Sequence, residues 1–107
     1  MLQNTTVCKA LTTTYNNLGV FYKSQGKTNL AIKYLKQVLE IEQEMTASDT
    51  KDSDIASTFV NICSIYSEMG KHDIALTYIT KAVSFLEEAY EHKLHSMIDP
   101  KEKRQFI

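Results

Sequence analysis

Residues 11–44 read LTTTYNNLGVFYKSQGKTNLAIKYLKQVLEIEQE, and residues 55–88 read IASTFVNICSIYSEMGKHDIALTYITKAVSFLEE. Laid over one another at an offset of 44, without a gap, they are identical at Thr14/Thr58, Asn17/Asn61, Tyr22/Tyr66, Gly26/Gly70, Lys27/Lys71, Ala31/Ala75, Tyr34/Tyr78 and Glu44/Glu88. Tyr15/Phe59, Leu18/Ile62, Leu30/Ile74, Leu35/Ile79 and Leu39/Val83 are conservative pairs. The matches concentrate on apolar and glycine positions, which packing and turns constrain. The chain therefore carries an internal duplication.

Each copy is patterned as two helices. Cys8, Leu11, Tyr15, Leu18 and Tyr22 recur at steps of 3 and 4, one face of a helix. Gly26 follows, where a left-handed residue ends a helix at little steric cost. Thr28 or Asn29 is then placed to cap a second helix, whose stripe is Leu30, Ala31, Tyr34, Leu35, Val38 and Leu39. In the second copy Ile55, Phe59, Ile62, Cys63 and Tyr66 precede Gly70; Ile74, Ala75, Tyr78, Ile79, Ala82, Val83 and Leu86 follow it. A turn this short forces each pair to be antiparallel. The expected organisation is one domain over 1–107: repeat one at about 5–45, a loop at 46–54, repeat two at about 55–97 and a tail at 98–107. Ser48, Asp49 and Ser53 are the cap candidates in and after the loop. The last helix extends from about His72 to Ser96 through Ala89, Tyr90 and Leu94. Pro100 disfavours a helical Asp99, and the tail either frays or starts another helix.

Composition agrees with an all-α fold. Three Gly and one Pro are far below the usual share of roughly 12%. A sandwich or barrel needs more turns than so few breakers allow. With 43% hydrophobic and 23% charged residues the chain is globular rather than disordered. A net charge of −1 gives no global field for nucleic acid or an anionic membrane. No stretch approaches the ~20 apolar residues of a membrane span, and no signal-peptide run is present. Cys8 and Cys63 lack CxxC spacing and read as reduced thiols, so the expected location is intracellular, cytoplasmic or nuclear, with cytoplasmic preferred.

At these residues the sequence resembles the tetratricopeptide repeat family. The first unit supplies Tyr15, Leu18, Gly19, Tyr22, Gly26, Ala31, Leu35 and Val38; the second supplies Phe59, Ile62, Cys63, Tyr66, Gly70, Ala75, Ile79 and Ala82. Cys63 replaces the small Gly, Val38 the second Ala, and neither unit has the closing Pro. The spacing of 44 and the Tyr15-Asn16-Asn17-Leu18-Gly19 run resemble the long repeats of kinesin light chain. The resemblance implies an α-solenoid fragment whose first helices line a concave groove for a protein or peptide partner. The groove positions it implies are Thr13, Asn16, Asn17, Val20 and Lys23 in the first unit, and Ser57, Val60, Asn61, Ser64 and Ser67 in the second. An Asn amide at such a position bridges a peptide's N–H and C=O groups without reading its side chains. Chaperone cofactors of the family clamp a C-terminal carboxylate with Lys and Asn; here Asn16 and Val20 stand at those positions, so that activity is not expected.

Other constellations carry less. His92 and His95 share a helix face but find no third strong ligand. Asp49, Asp52 and Asp54 lack the Gly and terminal Glu of a calcium loop. Lys101, Lys103 and Arg104 are a short basic run without aromatic interleaving. No nucleophile elbow, Cys-His signature or P-loop is present, so neither catalysis nor a cofactor is expected. The six Tyr fall mostly on packing positions. The outer faces, with Val7, Leu11 and Phe21 at one end and Phe85 and Tyr90 at the other, lack polar caps. The expected function is a protein-interaction scaffold. The alternative is a structural module, either part of a larger repeat array or a homo-oligomer that stacks through these ends.

Overall fold

The computed structural model describes residues 5–45 and 51–97. Four helices follow in order: α1 (Thr5–Ser24), α2 (Thr28–Glu44), α3 (Asp52–Glu68) and α4 (His72–Met97). No strand occurs among the described residues. The duplication is visible in the helix bounds: α1 ends at Ser24 and α3 at Glu68, while α2 begins at Thr28 and α4 at His72. Neighbouring helices pack in chain order, α1 on α2, α2 on α3 and α3 on α4.

The two hairpin turns have the same construction. Gly26 and Gly70 adopt φ of 75° and 78°, a region an L side chain enters only with strain. In the first turn Lys27 N–H donates to Tyr22 O at 2.9 Å and Gly26 N–H donates to Lys23 O at 3.0 Å. In the second, Lys71 N–H donates to Tyr66 O at 2.9 Å and Gly70 N–H to Ser67 O at 3.0 Å. This is the paired 6→1 and 5→2 bonding of a Schellman end, which satisfies carbonyls the helix would otherwise orphan.

The expected side-chain caps are not used. Lys27 is the N-cap of α2 and Lys51 that of α3, neither through a side-chain bond. Thr28 is already helical and Asn29 lies within α2, because Lys27 closes one helix and opens the next through its own carbonyl, to which Ala31 N–H donates at 3.1 Å. Ser53 is likewise inside α3. Asp52 and Asp54 stand in the first turn of α3, where the helix dipole favours carboxylates. Ser48, Asp49, Asp99, Pro100 and the basic run at 101–104 lie outside the described residues.

The core sits on the inner two helices. Ala31, Ile32 and Leu35 of α2 meet Ile62 and Ile65 of α3, flanked by Tyr22, Leu39, Tyr66, Met69 and Tyr78. A second cluster joins Ile55 and Phe59 of α3 to Ala82 of α4. Gly19 lets α1 and α2 close: a Cβ there would lie 2.9 Å from Leu35 Cγ and 3.4 Å from Ala31 O. Aromatic packing is duplicated as well. Tyr22 stacks on Tyr34 at 5.7 Å, and Tyr66 on Tyr78 at 5.6 Å. Tyr15 and Phe59 tilt against the same partners at 5.9 Å and 6.3 Å. Such pairs add about 0.5–1.5 kcal/mol beyond the area they bury. Leu30, Ile74, Val83 and Leu86 are exposed, although the periodicity puts them on the apolar stripes.

Candidate functional site

The inter-repeat surface holds an open cavity of about 340 Å³. Its walls are Thr12, Thr13 and Asn16 from α1 and Asp54, Ser57, Thr58 and Asn61 from α3; Val38 and Glu42 of α2 form its floor. A second cavity of about 320 Å³ shares Thr12, Thr13, Glu42 and Asp54 and continues past Lys9, Met45 and Lys51. Two parallel first helices separated by one second helix leave this trough, because α2 fills the space beneath them only partly.

The floor is polar. Glu42 is 8% exposed and Thr58 4%, the two buried polar side chains of the described core. Thr58 Oγ1 donates to Glu42 Oε1 at 2.7 Å and lies 3.1 Å from Asp54 O, the carbonyl one turn back in its own helix. A hydroxyl has a single proton. Both contacts are full hydrogen bonds at once only when Glu42 itself carries a proton and donates it to Thr58 Oγ1. Burial pushes the Glu42 carboxyl up to about 7; repulsion from Asp54 adds to this and the Thr58 bond opposes it.

Four of the positions that sequence places in the groove meet at this cavity: Thr13, Asn16, Ser57 and Asn61. Asn17 is exposed and does not line it. Val20 and Val60 are exposed on α1 and α3. Lys23 and Ser64 join each other: Lys23 Nζ donates to Ser64 Oγ at 3.3 Å and pairs with Glu68 Oε1 at 3.5 Å, tying α1 to α3. Ser67 is exposed on the last turn of α3. Sequence alone did not place Thr12, Val38, Glu42, Asp54 or Thr58 in the groove. The signal for Glu42 was present: Ala31, Leu35, Val38 and Glu42 run at steps of 4, 3 and 4, and the residue 44 further on is Leu86.

Cys8 is buried and Cys63 half-buried, and they are not joined. His92 and His95 are exposed on α4, and no three of His, Cys, Asp and Glu converge among the described residues. No helix among those residues is long and apolar enough to cross a membrane.

Comparison with known proteins bears on the whole arrangement. No curated protein and no solved structure matches the chain. Two sequence models of the tetratricopeptide repeat do match, one over residues 13–45 and the other over residues 56–91. Each span falls within one helix pair and its flanks, and together they take in most of the described residues. With two helix hairpins of one plan, each closed by a left-handed glycine and each matched in turn, the chain belongs to the tetratricopeptide repeat family.

Proposed function

We propose that the chain is a protein-interaction module that holds an extended peptide in the trough between α1 and α3. Repeats of this family mediate protein–protein interaction and are typically not enzymes. The observation that carries the reading is the cavity lined by both first helices, whose walls include the amide- and hydroxyl-bearing residues Asn16, Asn61, Thr12, Thr13 and Ser57. These groups both donate and accept, which suits the alternating N–H and C=O of a peptide backbone. Val20 and Val60, exposed on the same two helices, offer apolar contact alongside. The single-residue test separates Asn61 from Asn17. With a peptide selected against the whole chain, Asn61→Ala weakens binding at least fivefold by calorimetry, Asn17→Ala by less than twofold, and both keep the helical circular-dichroism signal. Equal, small effects of the two changes would contradict the reading.

A second reading has its own support. Ile32 and Leu39 of α2 face α3 in the core, and the residues 44 further on, Leu76 and Val83 of α4, are 65% and 50% exposed. Leu86, Tyr90, Leu94 and Met97 extend this exposed stripe along α4. In solenoids such a face takes the next helix pair, so α4 is the surface through which the module would stack on a further repeat or a second copy. Sedimentation of the intact chain tests it. Concentration-dependent association that Leu76→Glu abolishes supports stacking, and a monomer at all concentrations contradicts self-association.

A further inference from the structure

The trough carries a charge that peptide-backbone recognition does not require. Glu42 and Asp54 both line the cavity, from α2 and α3, and each is close enough for Asp54 to raise the proton affinity of Glu42. Glu42 is more than nine-tenths buried, and its Oε1 is bonded to Thr58. A buried carboxylate so placed is costly unless a cation or further donors reach it. The charged groups that face it are Asp54 of α3, Lys9 of α1 and Lys51 just before α3. Neither lysine closes on it: among the described residues the one ion pair is Lys23–Glu68, away from this cavity.

We propose that the inter-repeat cavity receives one arginine side chain of the peptide partner, with Glu42 and Asp54 as its counter-charges and Asn16, Ser57 and Asn61 as further acceptors. The proposal rests on the groove reading above and adds the chemistry of the ligand. There is room for a side chain: the cavity holds about 340 Å³. The acceptors come from three helices, and a guanidinium offers five donors in one plane to meet them. Its weak hydration also lowers the cost of entering a recess that a compact ammonium resists. Entry of the guanidinium ionises Glu42, so the Thr58 proton is then donated to the carboxylate and the acid's own proton leaves to solvent. Arginine and proton therefore compete for the same carboxylate, and binding strengthens as pH rises through about 7.

The test uses the full chain, 15N-labelled, titrated at pH 8 with the capped pentapeptide Ala-Ala-Arg-Ala-Ala and with its citrulline counterpart, which keeps the shape and loses the charge. The arginine peptide is expected to shift the amide signals of Asn16, Ser57, Thr58 and Asn61 and to bind at least tenfold tighter than the citrulline peptide. Glu42→Gln, which keeps the side-chain shape, should remove that preference, and Asp54→Asn should reduce it. At pH 5.5 the arginine peptide should bind about thirtyfold more weakly than at pH 8. Equal binding of both peptides in the trough overturns the arginine site and leaves the groove reading standing. Preference retained in Glu42→Gln overturns it too. Absence of shifts in the trough with either peptide overturns the arginine site and counts against the groove reading as well.

Discussion

Thr14 and Thr58 occupy the same position in the two repeats, and their surroundings differ completely. Each hydroxyl bonds the carbonyl four residues back, Thr14 to Ala10 O at 2.9 Å and Thr58 to Asp54 O at 3.1 Å. Thr14 is exposed, whereas Thr58 is buried against Glu42. The reverse holds on the second helices. Ile32 is buried in the first repeat, and its counterpart Leu76 is exposed in the second. Repeat one lacks a neighbour on its α1 side and repeat two lacks one on its α4 side among the described residues, so equal residues meet unequal fates. Burial is decided by which repeat stands next door, and the polar floor forms at the single junction where two repeats meet.

The largest effect is expected at Leu35, fully enclosed between α1, α2 and α3, where truncation to Ala should cost about 3–4 kcal/mol in urea unfolding. Its counterpart Ile79 is half-buried, so Ile79→Ala should cost about 1–2 kcal/mol. Equal losses at the two positions would mean that the outer hairpin is packed as tightly as the inner one.

Next comes Glu42, whose counterpart is Leu86. Its carboxyl titrates near 4.5 when unfolded and at about 7 in the fold. Between those values the folded state keeps a proton the unfolded chain has lost, so stability is highest below about 4.5 and falls as pH rises to 7. The full shift corresponds to about 3 kcal/mol, which solvent screening at the open cavity reduces to about 2 kcal/mol, with no further change from this group above that range. Glu42→Leu, which makes repeat one like repeat two, should flatten the profile between pH 5 and pH 8 and exceed wild type in melting temperature at pH 8. A parallel pH profile for the two proteins would show that Glu42 is not buried as described.

Gly19 and Cys63 make a smaller contrast. Gly19→Ala gains helix propensity of ~1 kcal/mol but drives a Cβ to 2.9 Å from Leu35 Cγ, for a net loss of about 1 kcal/mol. Cys63→Ala should change stability by less than about 0.5 kcal/mol, since the α3–α4 pair already accommodates a larger residue there. Smallest is Gln37, whose Oε1 is buried without a donor among the described residues. Gln37→Leu should stabilise by up to ~1 kcal/mol by removing the orphaned acceptor, measured by the same urea series.

The fold was legible because the residues that repeat are those whose geometry is local. Gly26 and Gly70 mark the turns, the tyrosines that recur form the same stacked pairs, and the helix starts at 28 and 72 fall where the pattern puts them. The candidate site was legible by half. Thr13, Asn16, Ser57 and Asn61 are among the positions that the family resemblance implies, and they line the cavity from α1 and α3. Glu42 and Thr58 were not among them: the period of α2 puts Glu42 on the buried stripe after Val38, but its meeting with Thr58 depends on α2 packing against α3, a contact between repeats. The caps were misplaced for a similar reason. Thr28, Asn29 and Ser53 have the chemistry of caps, but the turn geometry gives the position to Lys27, and α3 starts from Lys51.

The most direct test of the central claim, that binding happens at the junction between repeats, is hydrogen-exchange protection of the intact chain with and without a selected peptide. Protection is expected to rise on α1 around Thr12–Asn16 and on α3 around Ser57–Asn61, with the outer stripe of α4 unchanged. Protection confined to α4 at Leu76, Val83 and Leu86, with no change on α1 or α3, would contradict it.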